Sequence, residues 1–315
     1  MKKSTKRFLF FVGASAAAIY AYNKYIEMTA TQKNLLSTDD GDYFDWDGEL
    51  IYYTKTGEGS PILLIHDADA AASSEEWSKL VRRLERKHTV YTLDLLGCGR
   101  SNKPAMEYTN YLYVKLITAF AKEIIQEKVT VVASNISASF AIMVNHLDDS
   151  IFDKLIFINP ISLDQLSVVP DKLSKIKKCI IELPFIGTFV YNLLTSNIKI
   201  EESFRTKYHG KPQLISSHMK DTYYESAHTG GSNGRFLYSS LIGNYVNNPV
   251  THALKKLSTP TLIIGCKELK NNSLALDDYH MINQSIEIVR INNGSLYPHM
   301  EIPEKITSII EDYLA

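Results

Sequence analysis

Residues 89–101 read TVYTLDLLGCGRS, and this stretch decides the predicted fold. Its first half is rich in apolar and β-branched residues, which is typical of a strand buried on both faces. Gly97 and Gly99 then end the strand in a turn. Apolar runs of the same kind lie upstream at 62–65 and downstream at 129–132. Together the three runs predict the centre of a parallel sheet.

Helical patterns separate these strands along the chain. Ser73 and Glu76 predict a capping box at the start of the helix between the first two runs. Apolar residues at every fourth position from Leu112 to Ile124 predict the next helix. Further strands are predicted at 154–158, 261–265 and 286–291. Because strand and helix alternate, we expect helices on both faces of the sheet.

Two features stand outside this alternation. Asp47-Gly48 lies between two β-prone runs, which predicts an antiparallel hairpin at the start of the sheet. From 163 to 249 the pattern is helical only, so we expect a helical cap inserted at this point. The cap divides the predicted core into the segments 42–162 and 250–315.

The predicted cap contains an apolar run from Ile180 to Leu194, preceded by a basic cluster. The run indicates that the cap packs onto the core. Its alternatives are a lid over a lipophilic ligand or a surface that rests on a membrane. The lysines are typical of a solvated helix face, and beside a membrane they would face anionic lipid. The cluster consists of Lys172, Lys175, Lys177 and Lys178.

The N-terminal segment, residues 1–26, differs in kind from the rest of the chain. A basic head from Lys2 to Arg7 precedes an uncharged run from Phe8 to Tyr22, the pattern of a signal anchor or a secretory signal. We expect an uncleaved membrane anchor with the domain on the extracytoplasmic side, followed by a tether at 27–41. Secretion after signal cleavage and a buried N-terminal helix are the alternatives.

Composition argues against several classes of partner. The formal net charge is -1, so the sequence does not predict nucleic acid as a partner. The three cysteines are too few and too far apart to predict a disulfide framework or a Cys-rich metal site. The histidines show no metal-ligand spacing, and no motif predicts a cofactor.

Functional side chains of an open parallel sheet lie beyond the carboxyl ends of its strands. Those positions hold His66-Asp67 after the first apolar run and Ala133 to Ser137 after the third. Glu268 follows the strand at 261–265, and the segment 293–304 follows the last strand. These residues are therefore the candidates for a functional site.

The order of these segments resembles the α/β-hydrolase fold family, in particular its cap-bearing esterase, dehalogenase and haloperoxidase-like branch. The resemblance covers residues 45–315. Three motifs carry it, namely LLIHD at 63–67, LDLLGCGRS at 93–101 with Lys103-Pro104, and PHMEIPE at 298–304. It implies an α/β fold with a mostly parallel sheet of about eight strands, helices on both faces and an inserted helical cap.

The resemblance also implies where a catalytic triad would stand. In that family a nucleophilic serine occupies the centre of a Gly-x-Ser-x-Gly elbow, which here is Asn135. An amide has no hydroxyl that a base could activate for ordinary acyl transfer. The acid position matches Glu268. The base position, immediately before Tyr297-Pro298-His299, holds Leu296, which cannot accept a proton.

The oxyanion hole of the family uses a His-Gly pair after the first buried strand and the amide that follows the nucleophile. The matching residues are His66, Asp67 and Ile136. Asp67 replaces the glycine and brings a carboxylate near the place where negative charge would develop. That charge would raise the barrier to hydrolysis instead of lowering it.

These departures predict a degenerate catalytic triad and a pseudoenzyme that does not use the Ser-His-acid route. We expect a pocket beneath the cap that binds a small apolar ligand, with a protein partner as a further possibility. The predicted ligand-binding residues are His66, Asp67, Asn135, Ile136, Glu268 and Leu296.

The alternative is an active, esterase-like serine hydrolase with a rewired nucleophile. Ser137 or Ser134 would then attack, assisted by Glu268 and His299. An elbow centred on Ser134 places bulky residues at its tight positions, and one centred on Ser137 needs a longer strand. The competing interpretation of both serines is that they cap the following helix.

Overall fold

The structure, a computed structural model, describes residues 3–37, 40–207, 216–292 and 294–315. Within these residues eight strands form one sheet. The strands are β1 Asp42–Trp46, β2 Glu49–Thr56, β3 Ser60–Ile65, β4 His88–Leu93, β5 Val129–Ser134, β6 Phe152–Ile158, β7 Thr261–Cys266 and β8 Glu287–Ile291. Their spatial order is β1-β2-β4-β3-β5-β6-β7-β8, and β2 alone runs antiparallel to its neighbours, β1 and β4, while the strands from β4 to β8 are parallel. The predicted fold class is therefore confirmed.

The helices of the described chain follow the predicted order. They are α1 Lys3–Thr29, α2 Ser78–Leu84, α3 Asn110–Phe120, α4 Ser137–Leu147, α5 Leu163–Leu166, α6 Lys172–Glu182, α7 Ile186–Leu194, α8 Asn197–Lys207, α9 Ser217–His228, α10 Gly234–Ile242, α11 Thr251–Lys255, α12 Lys270–Ile282, α13 Pro298–Glu301 and α14 Pro303–Leu314. Helices α3, α4 and α12 pack on one face of the sheet, and α2 and α14 pack on the other.

The central strands are buried on both faces because successive side chains point to opposite sides. In β3, Leu63 and Ile65 enter one core cluster, whereas Ile62 and Leu64 enter the other. All four side chains are fully buried. This is the arrangement that the continuous apolar run predicted.

The predicted hairpin between β1 and β2 is confirmed. Asp47 and Gly48 both adopt positive φ, at 57° and 83°, as a two-residue type I′ turn requires. The Asp45 carboxylate accepts a hydrogen bond from the Gly48 amide at 3.0 Å. The turn therefore sets the register in which Trp46 pairs with Glu49.

The predicted capping box at Ser73 and Glu76 is wrong. Ser73 precedes a short 3₁₀ turn, Ser74–Trp77, and its side chain makes no capping hydrogen bond. Glu76 is buried and its carboxylate points into the protein, toward Ser134 and His299. The pattern failed because tertiary partners compete with the backbone for the same side chain.

Between β6 and β7 the described residues form helices only, α5 to α10. Helix α1 packs against this segment, where Tyr22 meets Phe189 edge to face with the ring centroids 5.5 Å apart. The helix continues to Thr29, three residues into the predicted tether. Beyond it, the amides of Leu35 and Leu36 donate to the buried carboxylate of Glu225, each at 3.0 Å.

Across the part of the chain that the structure describes, we find no helix whose length and apolar character would carry it through a bilayer.

Candidate functional site

The sharp turn between β5 and α4 is centred on Asn135. Its φ of 49° lies in the left-handed region, which Asn tolerates better than other residues with a side chain. The backbone N–H of Asn135 donates to the Ile158 carbonyl at 3.0 Å and so fixes the turn against β6. The turn therefore presents the Asn135 side chain at the carboxyl end of the sheet.

The side chain of Asn135 is held by Asp67, which follows β3. Asn135 Nδ2 donates to Asp67 Oδ2 at 2.8 Å. The Tyr297 hydroxyl donates to the same oxygen, also at 2.8 Å. Asp67 and Tyr297 are both buried. The three side chains thus form a hydrogen-bonded network centred on Asp67, at the predicted positions of the nucleophile and the oxyanion hole.

A second buried network surrounds Glu76, a residue that sequence reasoning assigned to a helix cap. Glu76 Oε1 accepts hydrogen bonds from Ser134 Oγ at 2.5 Å and from His299 Nε2 at 3.0 Å. Its other oxygen accepts from the Asp67 amide at 3.3 Å. The carboxylate therefore ties together the loops that follow β3, β5 and β8.

Electrostatics favour the ionised form of this carboxylate. Burial by itself raises the pKa of Glu76, but the hydrogen bonds and charges of its partners, His299 first among them, outweigh burial. The net effect lowers the pKa of Glu76 below its ordinary value. His299 also stacks on Trp77, with the ring centroids 4.2 Å apart, which fixes the plane of the imidazole.

Within the described residues, neither candidate serine is hydrogen-bonded to an imidazole. Ser134 Oγ donates to Glu76, and Ser137 Oγ donates to the backbone carbonyl of His66 at 2.6 Å. Both side chains are fully buried. His299 contacts the same carboxylate as Ser134, so Glu76 stands between the imidazole and the hydroxyl. A serine nucleophile needs the base itself within hydrogen-bond reach.

His66 holds the loop after β3 in place. Its Nε2 accepts a hydrogen bond from the Leu95 amide at 3.0 Å, so Nδ1 carries the proton and donates to the Asp67 carbonyl at 2.7 Å. Both ring nitrogens are thus used by the backbone. Ile136, the next predicted position, is buried in the larger apolar cluster.

The loop that carries the base position is fastened by Asn159, a residue that sequence reasoning treated only as the end of a strand. Asn159 is fully buried with a φ of 45°. Its Nδ2 donates to the carbonyls of Ser295 and Leu296, each at 2.9 Å, and its Oδ1 accepts from the Cys266 amide at 2.9 Å. The only local signal for this role was the Asn-Pro step after a buried strand.

At the predicted base position the structure has an apolar, half-buried side chain, and at the predicted acid position an exposed one. Leu296 is half-buried and packs against an apolar cluster that includes Tyr297, Phe204 and Tyr223. Glu268 lies in the turn after β7 with its side chain exposed.

A cavity of about 540 Å³ lies between the cap and the loop after β3. None of the six predicted ligand-binding residues is among its described lining residues. Four lining residues, Ala71, Ile200, Phe204 and Tyr223, share an apolar cluster with Leu296 and Tyr297, so the cavity borders the predicted base position. The apolar part of the lining consists of Ala71, Leu194, Ile200, Phe204, Tyr223 and Tyr238, and the polar part includes Asp69, Thr195, Lys199 and Glu202.

Comparisons with known proteins agree with this architecture. The model of the alpha/beta hydrolase fold family matches residues 61–174. A 2-hydroxy-6-oxo-6-(2'-aminophenyl)hexa-2,4-dienoic acid hydrolase of Metapseudomonas resinovorans is 29% identical over 113 residues. That match covers 35% of this chain and 39% of the relative, so it spans well under half of the relative's length.

Two solved structures extend the likeness to most of the chain. CarC, a serine hydrolase involved in carbazole degradation, matches with a TM-score of 0.69 and 18% identity over 87% of this chain and 98% of its own. A membrane phospholipase A, described as a bacterial virulence factor, matches with a TM-score of 0.67 and 17% identity over 100% of this chain and 98% of its own. Together with the strand order, these matches show that the chain has the α/β-hydrolase fold. Within it, residues 61–174 match the model of that family.

Proposed function

We propose that this protein is an α/β-hydrolase family member that binds a small apolar molecule beneath its cap without hydrolysing it. One observation carries the proposal. The elbow holds Asn135, whose amide is bonded to Asp67 at 2.8 Å, while Tyr297 bonds to the same carboxylate oxygen. An amide supplies no nucleophile, and a carboxylate opposes the negative charge of an ester-hydrolysis intermediate.

The chemistry can be tested with a fluorophosphonate probe, which labels activated serines. Folded wild-type protein should remain unlabelled. The variant that carries Asn135→Ser and Leu296→His should show at best weak esterase activity, because Asp67 still faces the oxyanion position. Adding Asp67→Gly should increase that activity. Efficient turnover by the double variant alone would show that the oxyanion argument is wrong.

The proposed binding function rests on the cavity between the cap and the loop after β3. Its volume of about 540 Å³ lies within the range of small-molecule sites. Leu194, 37% exposed, lines the cavity, whereas its neighbour Leu193, 45% exposed, does not. A fluorescent fatty-acid analogue should bind wild type and Leu193→Trp alike and bind Leu194→Trp much more weakly. Equal binding by both tryptophan variants would place the ligand elsewhere.

A second candidate function is an active serine hydrolase, and one observation favours it. The relative matched over part of this chain is a hydrolase, and the family match includes the segment that holds Ser134 and Ser137. In this candidate, one of these serines attacks with help from Glu268 and His299. Probe labelling that disappears on Ser137→Ala or Ser134→Ala would establish this function and exclude the first.

We also propose that α1 attaches the protein to a membrane. The matched membrane phospholipase A covers the whole chain, α1 included, whereas the CarC match covers 87% of it. Phe10 and Phe11 of α1 are exposed, at 72% and 67%. Replacing both with Asp should reduce recovery of the full chain in a membrane fraction, and unchanged recovery would contradict the attachment. The extracytoplasmic orientation stays a prediction.

A further inference from the structure

Helix α6 turns its apolar side to solvent. Leu173, Ile176 and Ile180 lie three, four and seven positions apart and so share one stripe of the helix. Their exposed fractions are 55%, 56% and 45%. The face that packs on the cap holds Ser174 and Ile181 instead. A surface helix normally buries its apolar stripe against the protein core. An apolar stripe that faces solvent therefore indicates a surface that a lipid bilayer or another molecule covers.

The stripe continues into the hinge between α6 and α7. Leu183, Phe185 and Ile186 are exposed there. Phe185 has a φ of 67°, a strained conformation for an aromatic residue, in a turn closed by the Ile186 amide and the Pro184 carbonyl. Strain of this kind is retained where it serves a function. We call this surface the α6–α7 face, defined by Leu173, Ile176, Ile180, Leu183, Phe185 and Ile186.

Helix α1 is attached at the same hinge. Asn23 Nδ2 donates to the Phe185 carbonyl at 3.1 Å. Asn192 of α7 donates to Asn23 Oδ1, also at 3.1 Å. The exposed aromatic residues of α1 and the α6–α7 face therefore belong to neighbouring elements of the molecule.

Positive charge borders the stripe. At 3.6 residues per turn, Lys172 and Lys177 lie on its two sides. Both are exposed, as is Lys175. None of these three lysines forms an ion pair with another residue that the structure describes, whereas Lys178 pairs with Glu182. An apolar stripe flanked by lysines is the pattern of a helix that lies in the interface of an anionic bilayer.

We propose that the α6–α7 face docks on a lipid bilayer that contains anionic headgroups, with its apolar side chains among the acyl chains and Lys172 and Lys177 at the headgroups. This contact adds to the membrane attachment proposed for α1. It rests on that proposal, because the position of α1 determines which side of the molecule faces the bilayer. It would place the cap, and the cavity beneath it, next to the lipid bilayer, from which an apolar ligand could enter.

The test is flotation of the full chain with vesicles of phosphatidylcholine mixed with phosphatidylserine, and with vesicles of phosphatidylcholine alone. Replacing Leu173, Ile176 and Ile180 with Ser should weaken binding to both, by about tenfold or more. The variant Lys172→Glu with Lys177→Glu should weaken binding to the anionic vesicles by at least about 25-fold, since losing each lysine near such a surface costs about fivefold and each new carboxylate adds repulsion. Its binding to phosphatidylcholine alone should change little.

Matched controls come from exposed residues elsewhere. Leu147→Ser with Met281→Ser removes apolar side chains that are 61% and 70% exposed outside the cap. Lys255→Glu with Lys256→Glu reverses two exposed charges at the C-terminal end of α11. Both control variants should bind like the wild type. Circular dichroism of every variant should show unchanged helix content, because the replaced side chains are exposed.

The outcomes separate this inference from the proposal for α1. If the serine variant binds like the wild type while Phe10→Asp with Phe11→Asp abolishes binding, the α6–α7 face is not a lipid contact and the α1 attachment stands. If only the α6 variants lose binding, the α1 attachment fails and the present inference stands. A wild-type dimer in lipid-free light scattering that the serine variant converts to monomer would show that a second copy covers the face, and would overturn the inference.

Discussion

The substitution Glu76→Ala tests whether the buried carboxylate is the structural centre of the candidate site. It leaves Ser134 Oγ, His299 Nε2 and the Asp67 amide without their acceptor in a fully buried place. Removing one partner from a buried charged network costs about 3–5 kcal/mol. Glu76→Gln keeps the shape and one acceptor oxygen, so it should cost about 1–3 kcal/mol.

The pH dependence of this effect has a definite sign. The folded-state pKa of Glu76 lies below its ordinary value of 4.5. The carboxylate therefore adds stability above the unfolded-state pKa, and this contribution is lost as the pH falls through the folded-state pKa. The stability difference between wild type and Glu76→Gln should be full at neutral pH and should shrink below about pH 4.5.

Urea unfolding followed by circular dichroism, repeated across pH, measures both quantities. The control is Glu75→Ala, one residue earlier, which loses a pair with Arg100 at 3.4 Å and has a side chain 32% exposed. It should cost about 0–1 kcal/mol. If Glu76→Ala costs no more than Glu75→Ala, or if the Glu76→Gln difference grows in acid, the role assigned to the carboxylate is refuted.

Three further changes test other parts of the structure by the same unfolding measurement. Asn159→Ala removes four side-chain hydrogen bonds, to Ser295, Leu296 and Cys266. It should lower the free energy of unfolding by about 2–4 kcal/mol, so a loss below about 1 kcal/mol would contradict its role. Gly48→Ala places a Cβ in open space at a φ of 83°, so backbone strain alone should lower the free energy of unfolding by about 1–2 kcal/mol. Gly48→Asn should lower it by less, because Asn tolerates positive φ better. Asp94→Asn breaks the buried pair with Arg100 and should cost about 3–5 kcal/mol. The pKa of Asp94 is held at about 2, so this difference should persist to acid pH and fade only as the pH falls from 3.8 toward 2.

Local patterns predicted the sheet because burial on two faces demands continuous apolar strands. They also predicted the β1–β2 turn, since only residues that tolerate positive φ fit it. The positions of Asn135 and Leu296 followed from a family resemblance carried by short motifs. In the structure Asn135 adopts the left-handed conformation at the turn between β5 and α4, a backbone position for which a short polar side chain suffices.

The networks around Asp67 and Glu76 depend on partners far away in sequence. Glu76 bonds to Ser134, 58 positions away, and to His299, 223 positions away. A glutamate three residues after a serine also fits a capping box. The local sequence therefore does not show whether Glu76 caps a helix or forms the centre of a buried network. Only the packing of three strand ends against one another decides which partner the carboxylate takes.

The sequence by itself determined the order of strands and helices, because that order follows from local apolar periodicity and turn chemistry. The assignment of Asn135 to the elbow came from the family resemblance. Tertiary structure alone decided which face of α6 is buried. Periodicity shows that Leu173, Ile176 and Ile180 share a side, but whether that side meets the core depends on how the cap helices pack. In this fold Ser174 and Ile181 take the inner positions, and the apolar stripe is left facing outward.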